Sequence, residues 1–578
     1  MRETVDRLVT DALLAAIAAG ELDLDSAALP ERGIERPRDP SHGDWASSVA
    51  LRLAKEVGKN PREVARIIAD RIEQSADIDS VEVAGPGFIN MRLAHPALMR
   101  IVSEARQLDR AFGSSDLGDG KRVQVEFVSA NPVGPLHIGH GRWAALGDSM
   151  ARILEHTGHE VEREFYINDA GAQMEKFGKS LSVRYLQLHD KDVEMPQDAY
   201  HGTYVTDIAR AIKDDIGDAW VEASDEARQG YLRERGYKEV LAHLKEFLHS
   251  TGVDFDHWFS ERTLYEGTPN DIEVALDGLR SDGHLYEKDG ALWFRSTDFG
   301  DDKDRVLVKA DGTYTYFAPD IAYHKDKFDR GFDRVIDIWG ADHHGYVTRM
   351  MAAVEALGHP GALDVVIGQL VNVLRDGVPV RMSKRTGEMI TFEELVDEVG
   401  ADATRYWFLR RDTDQPVDFD ITKAIEQSAE NPLYYVQYAY ARICSIIRKA
   451  LGDPAQIEVL EQSPSCAIPS HLSADTLVAT LPLDIDLSSL TEPGEMALIR
   501  KIGEFGEVVE LASRDLAPHK LTYYAEELAA AFHQFYTQCR VIDEDGTVDR
   551  GRLALADATR RTLRVTFDLL GIAAPERM

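Results

Sequence analysis

The segment 130–140, Ala-Asn-Pro-Val-Gly-Pro-Leu-His-Ile-Gly-His, constrains the fold of this 578-residue chain more than any other stretch. It follows an alternating apolar run at 123–128, which predicts a β-strand, and precedes a run with helical periodicity from about 141 to 157. A second strand is predicted at 161–167. This order of strand, helix and strand favours a parallel sheet that binds ligands at the carboxyl ends of its strands.

Two histidines, His137 and His140, lie one helical turn apart at the end of this segment. Helix N-termini attract anions, and Gly139 allows a phosphate to approach the backbone closely. The histidines could therefore donate hydrogen bonds to phosphate oxygens. Two alternatives are a histidine pair that is satisfied within a loop and a pair of metal ligands. A metal site would require a third protein ligand, and the His-Glu-x-x-His pattern of zinc proteases is absent.

The length of the chain predicts several domains, because a domain typically holds about 150 residues. We predict an α/β protein in which a Rossmann-like parallel-sheet core follows a small N-terminal α/β domain and precedes a C-terminal all-α helical bundle. The predicted domains are 1–115, a core at 116–390 with a helical insertion at about 173–250, a connecting segment at 391–425, and the bundle at 426–578.

Local patterns give finer predictions within these domains. Helical periodicity predicts helices at 45–56 and at 496–513. Alternating apolar residues predict that the core sheet continues with strands at 334–339 and 364–370. From about residue 425 onward, only helices are predicted.

Composition restricts the compartment and the partners. Three widely spaced cysteines, Cys444, Cys466 and Cys539, fit a reducing compartment, so we expect a cytoplasmic protein without a disulfide framework. No apolar stretch approaches the roughly 20 residues that span a bilayer, and no signal peptide is predicted. The formal charge of −35 argues against a nucleic-acid partner when taken alone. A local basic groove can nevertheless coexist with acidic flanks.

A second motif, Arg-Met-Ser-Lys-Arg-Thr-Gly at 381–387, lies beyond the second half of the predicted core. Together with the His-Ile-Gly-His signature it resembles the class I aminoacyl-tRNA synthetases, whose second signature is Lys-Met-Ser-Lys-Ser. The sequence departs from that pattern at Arg381 and Arg385, which keep the positive charge. The resemblance implies ATP as a substrate accompanied by Mg²⁺, with no metal site formed by the protein. It implies His137, His140 and Lys384 as catalytic residues, and ATP binding by these three with Gly139, Met382 and Ser383.

Further stretches in the same order are similar to the arginyl-tRNA synthetases of this class, namely 165–171, 314–323, 339–346, 430–438 and 570–578. The resemblance implies activation of L-arginine with ATP and its transfer to the terminal adenosine of tRNA(Arg), with activation requiring bound tRNA. A guanidinium is planar and permanently charged, so a selective pocket needs carboxylates and an aromatic wall. The implied arginine-binding residues are Asn131, Glu261, Tyr316, Asp320 and His343.

Two of these assignments, Asp320 and His343, have a simpler alternative or an ambiguity. Asp320 follows a proline at a predicted helix start, where an aspartate commonly offsets the helix dipole. The choice between His343 and His344 as the substrate contact remains open. The sequence Asp-His-His at 342–344 also resembles a metal phosphoesterase signature, but the accompanying upstream aspartate motifs are missing.

The outer domains contain candidate tRNA contacts. The N-terminal domain resembles the additional domain of the arginine enzymes, which implies contacts to unpaired bases through Phe88 and Asn90. Tyr434 and Tyr438 lie near the entry of the helical bundle, where aromatic residues at helical spacing could equally be core. Two rival functions are a small-molecule nucleotidylyltransferase and a non-catalytic RNA-binding relative. The long helical domain argues against the first, and the retained signature residues argue against the second. We expect a monomer that binds no membrane.

Overall fold

The computed structural model describes residues 2–25, 29–37, 39–72, 75–380, 390–452 and 481–578. Within these ranges an N-terminal α/β module precedes a parallel-sheet core, and helices follow the core. The predicted fold class is therefore confirmed. Among the helices of these ranges, none is long and apolar enough to cross a membrane.

The N-terminal module is an antiparallel sheet with strand order β1-β2-β4-β3 that packs against helices. Its helix α3 is strongly amphipathic and buries Val64, Ile68 and Ile72. The elements are α1 (Arg2–Ala18), β1 (Ile34–Glu35), β2 (Trp45–Ser47), α2 (Val49–Leu53), α3 (Pro61–Ile72), β3 (Ile78–Ala84), β4 (Phe88–Leu93) and α4 (His95–Leu108).

The predicted helix at 45–56 is wrong in its first part. Trp45 pairs with Met91 in β2, and only Val49–Leu53 forms a short helix. All three residues of β2 are buried, because this strand lies between β1 and β4 in the sheet. A fully buried strand carries no alternation, so its apolar residues cannot be distinguished from a helical pattern by period alone.

The core is a parallel sheet with strand order β12-β11-β5-β6-β7. Helices α6 to α8 form the insertion between β6 and β7. The elements are β5 (Arg122–Glu126), α5 (Ile138–His156), β6 (Glu160–Ile167), α6 (Ala172–Leu188), α7 (Thr203–Ile216), α8 (Asp225–Ser250), β7 (His257–Ser260), α9 (Asp271–Ser281), β8 (Leu285–Lys288), β9 (Ala291–Phe294), β10 (Arg305–Val308), α10 (Phe317–Asp329), β11 (Arg334–Gly340), α11 (Val347–Ala356) and β12 (Leu363–Gly368).

Small sheets that the sequence patterns did not predict are attached to the core. Strands β8, β9 and β10 pair antiparallel and lie between α9 and α10. A second sheet has the order β14-β13-β15 and joins the end of the predicted core to the predicted connecting segment, in which only β15 lies. Its elements are β13 (Val371–Arg375), β14 (Val378–Pro379), α12 (Phe392–Val399), α13 (Ala401–Leu409), β15 (Val417–Asp420) and α14 (Ile421–Ala424).

The C-terminal region packs long helices together. The predicted single helix at 496–513 is wrong, since the chain turns at Glu504 and forms two helices. A Cβ at Gly503 would lie 2.8 Å from Ile101 Cδ1, so the lack of a side chain permits close contact with α4 at this turn. The described helices are α15 (Pro432–Leu451), α16 (Pro493–Gly503), α17 (Phe505–Arg514), α18 (His519–Gln538) and α19 (Arg550–Leu570).

Candidate active site

The loop after β5 leaves the sheet in a strained conformation. Val128 and Ser129 have φ values of 70° and 43°, in the left-handed region that branched residues avoid. The Ser129 hydroxyl donates to Glu126 at 2.8 Å and accepts from the Tyr166 amide at 3.2 Å. Asn131 follows and donates from Nδ2 to the Asn168 carbonyl at 3.0 Å. Such strain costs about 1–3 kcal/mol per residue and is typical of functional loops.

The two signature histidines cap the N-terminus of α5 reciprocally. His137 Nδ1 accepts from the His140 amide at 3.4 Å, and His140 Nδ1 accepts from the His137 amide at 3.3 Å. Their rings stack with centroids 3.6 Å apart. Burial, together with the charge of His137, holds the pKa of His140 well below its usual range. Because Nδ1 accepts, a neutral ring carries its proton on Nε2, which can donate to a phosphate oxygen.

The second signature lies outside the described residues, which exclude 381–389. The assignments of Met382, Ser383 and Lys384 therefore stay predictions. The described residues that follow it contact the first signature through the backbone. The Phe392 amide donates to the Leu136 carbonyl at 2.9 Å, and Thr391 forms an isolated antiparallel β-bridge with His137.

A pair of partly buried carboxylates, Glu261 and Asp320, lies between the end of β7 and the first turn of α10. Tyr346 donates its hydroxyl to Asp320 Oδ2 at 2.5 Å, and Tyr265 donates to Glu261 Oε1 at 3.4 Å. Tyr166 completes the group and also hydrogen-bonds Glu261. Asp320 lies in the first turn of α10, as the helix-dipole alternative requires. Its carboxylate also accepts a hydrogen bond from the Tyr346 hydroxyl, which that alternative does not involve.

The electrostatics of this pair favour a cation between the two carboxylates. Burial and the charge of Asp320 raise the pKa of Glu261 to about 7. Burial likewise raises the pKa of Asp320, although the Tyr346 hydrogen bond opposes the shift. Burial and both carboxylates raise the pKa of Tyr166. Like charges that share a site resist joint ionisation, so a bound cation would lower the pKa of both acids.

The two other predicted arginine contacts are more exposed. Tyr316 immediately precedes α10, and its side chain is 88% exposed. His343 lies on a 3₁₀ turn after β11, with its ring 6.2 Å from that of Trp339, and its charge partly offsets the rise that burial causes in the pKa of Asp320. Sequence reasoning missed Tyr166 and Tyr346 as carboxylate partners. Both belong to the stretches that resemble the arginine enzymes. Their hydrogen bonds connect residues that are distant in sequence, so the spacing of residues along the chain could not predict them.

A buried charged network supports the sheet beneath the carboxylates. Lys327 is fully buried and donates to Glu126 at 2.5 Å and to Asp337 at 2.8 Å. His324 joins Asp337 through Nε2 at 2.9 Å, and its Nδ1 lies 2.8 Å from the Asp320 carbonyl. Buried charges persist only when they are paired in this way. The network therefore fixes α10, which carries Asp320, against β5 and β11.

Among the described residues, one group has metal-ligand geometry: Glu162, Glu164 and His257. Arg330 occupies this group, because its Nη1 lies 2.9 Å from Glu162, 2.7 Å from Glu164 and 2.9 Å from His257. Hydrogen bonds from His257 and Arg330 outweigh burial and lower the pKa of Glu164 to about 2. The cluster is thus an ion-pair network rather than a metal site.

The predicted tRNA contacts differ in exposure. In β4, Phe88 is half-buried and Asn90 is buried, and Asn90 pairs with both Ala46 and Glu82. On α15, the rings of Tyr434 and Tyr438 stack with centroids 6.0 Å apart, and Tyr438 is 40% exposed.

Side chains from α15 and α18 extend this stack. The Arg442 guanidinium lies 5.9 Å from the Tyr438 ring and 4.6 Å from the Tyr536 ring, and the His533 ring lies 6.1 Å from that of Tyr438. We call these five residues, Tyr434, Tyr438, Arg442, His533 and Tyr536, the aromatic–cationic face.

Family models match almost the whole chain. The model for the catalytic domain of class I (R) tRNA synthetases matches residues 102–429, the arginyl tRNA synthetase N-terminal domain matches 4–93, and the DALR anticodon binding domain matches 436–578.

Individual relatives agree with these models. The chain is 45% identical over 579 residues to an arginine–tRNA ligase of Heliobacterium modesticaldum, covering 100% of this chain and 99% of that protein. It is 47% identical to one from Dehalococcoides mccartyi, covering 94% of each chain. Its fold matches that of Thermus thermophilus arginyl-tRNA synthetase with a TM-score of 0.71 at 23% identity, covering 100% of both chains. The chain therefore belongs to the arginyl-tRNA synthetase family.

Proposed function

We propose that this chain activates arginine with ATP and loads it onto tRNA(Arg), with Glu261 and Asp320 binding the guanidinium group. The observation that carries the proposal is the placement of two partly buried carboxylates, both with raised pKa values, among the hydroxyl groups of tyrosines. A guanidinium cannot lose its proton, and its planar fork of donors fits two carboxylates. Asn131 and His343 are proposed to contact the α-amino end of arginine, and Tyr316 to close over its side chain.

The chemistry requires no protein nucleophile. The arginine carboxylate attacks the α-phosphorus of ATP, and pyrophosphate leaves in line as the adenylate forms. A hydroxyl of the terminal ribose of tRNA, the 2′-hydroxyl by class resemblance, then attacks the adenylate carbonyl and releases AMP. The protein contributes positioning and charge stabilisation.

The phosphate contacts are assigned to the two signatures. His137 and His140 are proposed to donate from Nε2 at the N-terminus of α5, and Lys384 to neutralise phosphate charge. Gly139, Met382 and Ser383 are proposed to contact ATP. Mg²⁺ is proposed to arrive with ATP as part of the substrate.

The arginine pocket predicts a specific pH dependence. Glu261 has a raised pKa of about 7 in the free protein, and a bound cation favours its ionised form. Arginine affinity should therefore weaken as the pH falls below 7, by up to about tenfold per unit for one titrating group, and binding near pH 6.5 should release a proton. Titration calorimetry at pH 6, 7 and 8 in buffers of different ionisation enthalpy measures both effects.

The matched control for this experiment is Glu261→Gln. This variant should bind arginine weakly at every pH and should lose most of the proton release. An arginine affinity of the unsubstituted protein that is unchanged between pH 8 and 6, or that rises on acidification, would remove Glu261 from the pocket.

The aromatic–cationic face is proposed to bind tRNA by stacking on unpaired bases. Stacking of a base on an aromatic side chain contributes about 1–3 kcal/mol, so Tyr438→Ala should raise the KM for tRNA by about 5- to 150-fold. Tyr523→Ala is a matched control, because Tyr523 is 41% exposed on α18 and lies outside the face. Equal KM values for the two variants would contradict the assignment.

Contacts through Phe88 and Asn90, a monomeric state and a cytoplasmic location stay predictions.

A further inference from the structure

The side chain of Trp143 contacts both signature histidines. It follows His140 by three residues on α5, so the two lie on one face of the helix. The indole meets the His137 ring at a centroid distance of 5.7 Å and an angle of 79°, and the His140 ring at 5.1 Å and 81°. These edge-to-face contacts orient the stacked histidine pair from one side.

The other side of the indole fits a slot that is made by two strand ends. A Cβ at Gly368, the last residue of β12, would lie 2.3 Å from the indole Nε1. A Cβ at Gly340, the last residue of β11, would lie 3.0 Å from Cζ2 of the same ring. The ring is thus held between the carboxyl ends of two core strands and the histidines.

This placement has an energetic cost. The indole Nε1 is buried, and no residue in the described part of the chain accepts a hydrogen bond from it. A buried donor in that position costs about 1–3 kcal/mol, which a leucine or phenylalanine would avoid. The shape of the ring, rather than its polar atom, therefore accounts for its position here.

We propose that Trp143 is a positioning residue for adenylate formation, which holds His137 and His140 in the orientation that aims both Nε2 atoms at the phosphates. This proposal rests on the proposed role of the histidines. Trp143 acts only through them, so it should affect the rate of the chemical step and leave arginine binding unchanged. Small displacements of catalytic groups, of about 1 Å, can lower rates by about 10²-fold.

The test compares Trp143→Leu with Trp143→Phe in tRNA-dependent pyrophosphate exchange. Trp143→Leu is expected to lower kcat by about 10- to 100-fold. The KM for arginine should stay within about twofold, and Trp143→Phe should restore most of the rate, since a second ring renews the edge contact. A loss confined to thermal stability, with kcat unchanged, would overturn the proposal.

A double-mutant cycle with His140→Asn decides whether Trp143 acts through the histidines. In the His140→Asn background, Trp143→Leu should cost less than about threefold in kcat, because the group that it positions is gone. Full additivity would overturn the proposal even if both single variants are slow. If His140→Asn alone left the rate unchanged, the role of His140 in the proposed function would fail instead.

The variant Gly368→Ala perturbs the same ring from the side of the sheet. It tests the proposal independently if Trp143→Leu does not fold. Its Cβ would displace the indole, so kcat should fall in the otherwise unsubstituted protein. Combined with Trp143→Phe, which lacks the Nε1 atom that the Cβ would meet at 2.3 Å, the same substitution should have a smaller effect. An equal loss in both backgrounds would contradict the assignment.

Discussion

Asp320→Asn should lower kcat/KM for arginine by about 30- to 150-fold, which corresponds to about 2–3 kcal/mol. The substitution keeps the size of the side chain and removes the negative charge that we propose faces a permanently charged guanidinium. Because Asp320 is partly exposed, we expect a loss near the lower end of the range that is typical when one partner of a buried charge pair is removed. The KM for ATP should change little. Steady-state charging of tRNA at varied arginine and varied ATP measures both quantities.

The matched control is Asp329→Asn, on the same helix, where the carboxylate is exposed and pairs with Lys325. It should charge normally. If Asp320 only offset its helix dipole, Asp320→Asn would lose about 0.3–1 kcal/mol of stability with near-normal charging. Thermal unfolding measured beside charging separates the two roles, and normal charging by Asp320→Asn would refute the pocket.

The largest effect is expected for His140→Asn, which should slow adenylate formation by about 10²–10³-fold. The pKa of His140 is held well below its usual range by burial, so the ring is neutral at pH 7 and donates from Nε2. Asparagine retains a polar side chain near the helix start, so the fold should survive. Single-turnover formation of the adenylate in the presence of tRNA measures the step directly.

The control for this prediction is His249→Asn. His249 is exposed, pairs with Asp254 at 2.7 Å, and lies far in sequence from the residues that are proposed to contact the phosphates. Its rate should match that of the unsubstituted protein. A His140→Asn variant with a normal rate and a raised KM for ATP would mean that the ring contributes ground-state binding alone.

The core could be predicted because its signals are local. The signature at 130–140 places a glycine-rich turn between strand and helix, and the strand at 334–339 appears as β11 with one further residue, Gly340. The order of strand, helix and strand then leaves few topologies. The prediction of a phosphate site at the histidines used their spacing of one helical turn together with the strand before them and the helix after them.

Other features depend on contacts that local patterns do not record. The strand of Trp45 is buried on both sides, so its residues carry no alternation. Strands β8 to β10 are short, at four residues each, and β8 packs against α9 while β10 packs against α10. The hydrogen bond of Tyr346 to Asp320 joins residues 26 positions apart, which no spacing rule links. Tertiary contacts of this kind override local propensity.

The acidic balance of −35 does not prevent RNA binding by this chain. Many acidic side chains of the described residues form ion pairs, as in the pair of Arg410 with Glu526 at 2.8 Å. The aromatic–cationic face instead offers rings and one guanidinium, which we propose stack on bases without a large basic field. We therefore expect tRNA affinity to depend less steeply on salt than it would for a strongly basic groove.

The most direct test of the central claim is aminoacylation of bulk tRNA with each amino acid in turn, in the presence of ATP and Mg²⁺. The account predicts charging with arginine alone. It also predicts that citrulline, which has the shape of arginine without the charge, is rejected, because two carboxylates would face a neutral group. Arginine-dependent pyrophosphate exchange should appear only when tRNA is present. Charging with lysine or citrulline at a rate comparable to arginine would contradict the guanidinium pocket of Glu261 and Asp320.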